Sequence, residues 1–169
     1  GDSEHLAATQ GFLQDKITLR LADGGPGLID VVLHNRGVGH GFPGGTVDSN
    51  QAWIEWQAHD ADGRTLATRA DHYLRAWALD ADGQLLQTRD VQHQRAVAFD
   101  TRLMPGQPKV VRYRIPAGTT RVTARLRYQK FSNEYAQFAC ASLPEGARKM
   151  RCLTPIITDM AAADVTLND

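Results

Sequence analysis

The chain has 169 residues, 42% of them apolar, and a formal net charge of zero. That length is enough for one domain with a real core, and the composition argues against disorder. The balanced charge argues against a dedicated nucleic-acid binder, and no apolar run approaches the roughly 18 residues of a membrane-spanning helix.

The chain begins Gly1-Asp2-Ser3, which reads as a processed product, an excised domain or a chain carrying a tag remnant, with no signal peptide ahead of it. Residues 1–14 read as an N-terminal segment with a helical turn or two between Glu4 and Gln14, and 15–169 as a single β-domain. Lys16-Ile17-Thr18-Leu19-Arg20-Leu21 alternates as a half-buried strand. The Asp23-Gly24-Gly25-Pro26-Gly27 turn leads to a second strand, Leu28 to His34, which makes an opening hairpin.

Then comes Asn35-Arg36-Gly37-Val38-Gly39-His40-Gly41-Phe42-Pro43-Gly44-Gly45. Glycine is used where the backbone needs positive φ or a close approach, and a shaped loop between strands is where function tends to sit. The large side chains it presents are His40 and Phe42, so His40 is the candidate contact for a cofactor, haem or partner and Phe42 a candidate partner contact.

From Ala52 the chain repeats itself. Trp53 to Arg69 matches Tyr73 to Arg89 around a shared Asp-Ala-Asp-Gly at 60–63 and 80–83. Asp-Gly between alternating apolar segments is a hairpin signal, so two consecutive hairpins of similar build are expected within one sheet system. Val91 to Phe99 is a less regular strand crossing between sheets. Met104-Pro105-Gly106-Gln107-Pro108 is a turn, Lys109 to Ile115 a strand, and Thr120 to Phe131 the longest strand. Ser132-Asn133-Glu134 caps one short helix near 132–141, and Ile156 to Leu167 closes the domain. Short strands at regular spacing describe an all-β protein, an immunoglobulin- or fibronectin-like antiparallel β-sandwich, with a barrel as the alternative.

Cys140 and Cys152, with no CxxC spacing, fit a disulfide in an oxidising compartment. Two buried free thiols are the competing reading. There is no CxxCH, so this chain attaches no c-type haem by that route. Nothing resembles HExxH, GxSxG, a P-loop or a Rossmann fingerprint, and the chain reads as a non-enzyme. His34, His40, His72 and His93, joined by Met104 if the fold gathers them, form a candidate copper set. Asp48, Asn50 and Asp71 are candidate calcium donors, with turn stabilisation as the plainer role. Period-2 arithmetic leaves Arg112 and Arg114 on one face of their strand and Arg121, Arg125 and Arg127 on one face of theirs. If those strands pair, five arginines make a docking surface for carboxylates such as haem propionates. Trp53, Trp56 and Trp77 are core aromatics or, alternatively, a stacking platform for sugars.

The glycine-rich loop with Asp48 and Trp53, His72-Tyr73-Leu74-Arg75 before Asp80-Ala81-Asp82-Gly83, Leu103-Met104-Pro105-Gly106, Val110 to Pro116, and Leu126 to Phe131 together resemble the C-terminal β-rich domain of bacterial multihaem cytochrome c proteins, over about Thr18 to Ile157. In that family CxxCH motifs preceding this domain carry the haems, and they are absent here. The resemblance implies either a domain separated from its haem-bearing part or a free-standing relative beside a cytochrome. It further implies a periplasmic or extracellular location, a multihaem cytochrome c subunit or domain as partner, and haem c on that partner rather than on this chain. The loop histidine of the family corresponds to His40. A copper-binding periplasmic protein and a carbohydrate-binding or adhesive module are the alternatives.

Overall fold

The computed structural model describes residues 2–46, 48–86, 89–146 and 152–167. It opens with a helix, α1 (Asp2–Leu13), three turns rather than one or two. Strands follow: β1 (Ile17–Asp23), β2 (Leu28–Asn35), β3 (Gln51–His59), β4 (Thr65–Asp71), β5 (Ala76–Leu79), β6 (Ala96–Asp100), β7 (Pro108–Arg114) and β8 (Arg121–Gln129). A 3-10 turn at Val91–His93 stands where the strand expected over Val91 to Phe99 would begin, and a second helix, α2 (Asn133–Ala141), and a last strand, β9 (Ile157–Thr166), follow later in the chain. At ten residues β9, not β8, is the longest strand.

All named strand pairs are antiparallel, and the architecture is an all-β sandwich with two short helices. One sheet has the order β1-β2-β7, the other β4-β3-β8-β9, and β5-β6 is a separate two-stranded ribbon. The alternating pattern of β2 sends Ile29, Val31 and Leu33 inward, where they meet Leu19 and Val111 of the same sheet. From the other sheet come Ile54, Trp56, Val122, Leu126 and Met160, all in one buried cluster. Removing each such side chain from water contributes about 1.5–3 kcal/mol, so the shared inner face holds the two sheets together. At the β4–β7 side the Tyr113 hydroxyl donates to Asp71 at 2.8 Å, which ties the sheets across their seam.

The repeat at 60–63 and 80–83 gives two matching turns. Asp60 Oδ1 accepts from the backbone N–H groups of Asp62 and Arg64 at 3.0 and 2.9 Å. Asp80 Oδ1 accepts from those of Asp82 and Gln84 at 3.0 and 2.7 Å. Gly63 and Gly83 take φ of 79° and 75°, a conformation that favours glycine. The hairpins diverge beyond the turns. β4 runs beside β3 in the four-stranded sheet, whereas the second return arm makes a Leu79–Leu85 bridge and a Leu86-to-Ala78 hydrogen bond. Its continuation at 87–88 lies outside the described residues. The second hairpin therefore belongs to the β5-β6 ribbon and not to the sheet of the first.

The α2 helix starts where expected: the Ser132 hydroxyl oxygen accepts from the Tyr135 N–H at 3.0 Å, a side-chain N-cap. Cys140, at its end, is disulfide-bonded to Cys152, which selects the disulfide over the free-thiol reading. The cross-link fastens α2 to the approach to β9.

Candidate functional site

The glycine-rich loop leaves β2 at Asn35, a residue only 1% exposed. Its carboxamide satisfies three backbone groups. Nδ2 donates to the His40 carbonyl at 2.9 Å and the Leu103 carbonyl at 3.2 Å, and Oδ1 accepts from the Val38 N–H at 2.9 Å. The N–H groups of Arg36 and Gly37 both reach the Lys16 carbonyl, at 3.0 and 2.9 Å. A Cβ on Gly37 would lie 2.8 Å from Lys16 Cδ, so the close approach needs glycine there. Phe42 and Leu103 exchange backbone hydrogen bonds at 2.9 and 2.8 Å, and the Asn50 side chain donates to the Gly44 carbonyl at 2.8 Å. Buried polar groups are costly unless paired; here the pairing gives an irregular loop a fixed shape.

The two large side chains of the loop go opposite ways. Phe42 is 5% exposed and packs on Tyr128 with ring centroids 5.7 Å apart. It anchors the loop in the core, and only a ring edge is left to line the groove beside the loop. His40 is exposed. Its ring sits over Gly44 so closely that a Cβ there would fall 2.2 Å from Cε1. Its Nδ1 lies 3.0 Å from the Gly41 carbonyl. A carbonyl can only accept, so in the neutral ring Nδ1 carries the proton and Nε2 keeps its lone pair.

Between this loop and α1 lies an open groove of about 490 Å³. Phe12, Pro43 and Met160 contribute apolar surface, and Lys16, Lys130 and His40 contribute nitrogen. Among the described residues no carboxylate lines it. Phe12 is 69% exposed, with the Lys16 ammonium 5.1 Å from its ring centroid. Sequence reading missed this groove because α1, β8 and the loop meet only through the tertiary fold.

The other candidates are dispersed. Among the described residues no three His, Cys, Asp or Glu side chains gather in a metal-binding group, so His34, His40, His72 and His93 do not assemble as a copper set. His93 instead pairs with Asp90 at 2.7 Å. His72 lies at φ 50° with a buried Nε2 that has no hydrogen-bond partner; burial, with the Lys109 charge, pushes its pKa down against the pull of Asp71. Of the calcium donors, Asp48 accepts from the Arg89 N–H, Asn50 holds Gly44, and Asp71 accepts from Tyr113. Asp71 thus acts as a cross-sheet acceptor, and burial together with that bond drives the Tyr113 phenol far above its ordinary pKa.

The arginine surface does not form. β7 pairs with β2 and β8 with β3 and β9, and the two sheets meet through their inner faces. The outer face with Arg112 and Arg114 therefore looks away from the one with Arg121, Arg125 and Arg127. Most of these cations are also already paired. Arg112 meets Asp30 at 2.7 Å and Arg121 meets Asp164 at 2.9 Å. Arg125 meets Asp159 at 3.2 Å, and Arg127 bridges Glu55 and Asp159 at 2.9 and 3.1 Å. The hydrogen bonds from Arg112 hold the Asp30 carboxyl below its usual range. The tryptophans offer no sugar platform either: Trp53 and Trp56 are buried, and Trp77 is in contact with both the Arg75 guanidinium, 4.5 Å from its ring centroid, and the Phe99 ring, 5.0 Å away.

With this geometry in hand, comparison with known proteins is informative about architecture. No family profile matches the chain, and no curated protein matches it in sequence. Its structure is similar to part of a penta-heme cytochrome c552 from Thermochromatium tepidum, with a TM-score of 0.63 and 22% identity over 92% of this chain and 41% of that one. What this shows is a shared fold. The chain spans about two fifths of the cytochrome's length. A candidate ApaA protein of Bordetella pertussis aligns over 89% of each chain, but at a TM-score of 0.35 and 13% identity the likeness carries no argument.

Proposed function

We propose that this chain is a non-enzymatic β-sandwich module of an exported multihaem cytochrome electron-transfer system, which docks to or shields a haem-bearing partner or domain. The observation that carries the reading is the fold match: nearly the whole chain corresponds to a portion of a penta-heme cytochrome. The chain has no CxxCH of its own, so covalently held haem belongs to another chain or another part of the same protein. The disulfide supports an oxidising, extracytoplasmic setting. No helix among the described residues is long and apolar enough to cross a membrane.

Within this reading the docking surface is the His40 loop with its groove, which takes the role first expected of the arginines. The groove is basic and, among the described residues, free of carboxylates inside a chain of zero net charge, and it suits a partner with an apolar edge and acidic groups. The test is isolation of the chain from its native source, followed by visible spectra of the oxidised and dithionite-reduced material. Sharp c-type haem bands that travel with the chain and cross-link to it are the expected result. A colourless, partner-free native protein overturns the proposal.

A further inference from the structure

The His40 seat goes further than a docking surface. A histidine that ligates a metal typically donates its other ring N–H to a carbonyl or carboxylate, which fixes the tautomer and orients the ring. Three features of this loop meet that requirement before any partner arrives. Nδ1 is engaged by the Gly41 carbonyl at 3.0 Å, which leaves Nε2 as the free donor atom. The ring rests on Gly44, where a side chain would exclude it. The His40 carbonyl is itself held by Asn35 at 2.9 Å, so the backbone that carries the ring is anchored to the end of β2. Imidazole is a ligand suited to iron and is the usual protein ligand of haem.

A solitary imidazole can complete the coordination of a metal already held elsewhere but cannot build a site alone, and among the described residues no further His, Cys, Asp or Glu joins His40 in a metal-binding group. The groove beside it presents apolar surface and the ammonium groups of Lys16 and Lys130, with no carboxylate to repel an anionic ligand. Apolar body, acidic rim and an iron with an open axial position describe a haem edge with its propionates. We propose that His40 supplies, through Nε2, an axial ligand to a haem iron carried by the partner, with Lys16 and Lys130 as the counter-charges for that haem's propionates. This rests on the cytochrome-partner reading and names the atom that makes the contact.

The test uses the intact chain and an N-acetylated haem undecapeptide, whose ferric iron has one histidine of its own and an exchangeable water on the other side. Titration with the wild-type chain is expected to replace that water and convert the spectrum from high-spin to low-spin in a saturable way. His40→Ala removes an exposed ring and is expected to abolish the conversion while the circular dichroism stays unchanged; His59→Ala and His93→Ala keep it. Gly44→Ala retains the imidazole but evicts it from its seat, and is expected to weaken ligation about 10–100-fold, the range seen when support of a metal ligand is lost. Lys130→Gln is expected to weaken binding of the peptide but not of its propionate dimethyl ester. A wild-type chain that never produces the low-spin form, or a conversion that survives His40→Ala, overturns the proposal. A Lys130→Gln loss that persists with the ester overturns its propionate part.

The two proposals fail in distinguishable ways. Haem-peptide ligation through His40 alongside a native chain that brings no cytochrome sinks the docking function and, with it, the assignment of that ligand to a partner's haem, leaving only a loop that ligates haem in solution. Native co-isolation with a cytochrome alongside a wild-type chain that never converts the haem peptide to the low-spin form sinks the ligand assignment alone.

Discussion

On the outer sheet faces Arg112, Arg121, Arg125 and Arg127 each have a carboxylate opposite, whereas the glycine-rich loop spends its polar groups on its own backbone and leaves one imidazole in solvent. The two regions are the places where the chain could meet an acidic or haem-bearing partner, and they differ in what a partner must displace. At the arginines an incoming carboxylate competes with one already placed at 2.7–3.2 Å, so the exchange gains little. At the loop no group among the described residues occupies Nε2 of His40. A row of cations in a sequence measures charge; availability depends on what the fold sets across from it.

The comparison can be broken most severely from the loop's buried side. Phe42→Ala removes a ring that is 5% exposed and is expected to cost about 3–5 kcal/mol, read as a lower urea midpoint, with loss of any haem-peptide ligation by His40. Asn35→Ala takes away the donor for the Leu103 and His40 carbonyls and is expected to cost roughly 1–3 kcal/mol for a buried acceptor left unpaired. Ligation weakens with it, because the loop loses its tether while His40 itself is retained.

A third kind of site sharpens the contrast: His72 is half-buried, and its buried Nε2 has no hydrogen-bond partner among the described residues. Burial and then the Lys109 charge hold its pKa below the ordinary value, with Asp71 opposing. The unfolded chain therefore binds a proton near pH 6.5 that the folded chain resists. The stability contribution is complete above that pH and is lost as pH falls through it toward the lower folded pKa. His72→Asn, which tolerates the positive φ, is expected to flatten the stability–pH curve below neutrality in urea melts. The smallest effect is expected on the arginine faces. Arg127→Ala breaks two partly exposed pairs and is expected to change stability by about 0.2–1 kcal/mol, with no change in capture of a cytochrome partner.

The strands were legible because each buries one face, and the period-2 pattern of β2 or β8 records that directly. The matching turns were legible for a local reason too: Asp60 and Asp80 bond within four residues of themselves. Periodicity reports which face of a strand is buried, but not which strand lies beside it. That is why β7 and β8 were joined into an arginine surface that the sheet order forbids, and why the second hairpin was assigned to the wrong sheet. The helix α1 buries little and shows a weak pattern, so its length was underread. In the loop, glycine content announced a constrained backbone and singled out His40. It could not announce that Phe42 turns inward to pair with Leu103, nor that Lys16 and Lys130 come to the same groove.

The matching turns have a consequence for how the molecule ages. Asp-Gly sequences convert to isoaspartate when the glycine nitrogen attacks the preceding side-chain carbonyl through a cyclic imide. At both Asp62-Gly63 and Asp82-Gly83 that nitrogen is engaged, its N–H donated to the Asp60 carbonyl at 3.1 Å and the Asp80 carbonyl at 3.2 Å. The tight turn that shapes each hairpin thus also engages the nucleophile, and isoaspartate formation at these two sites is expected to be slower in the folded chain than in the unfolded one.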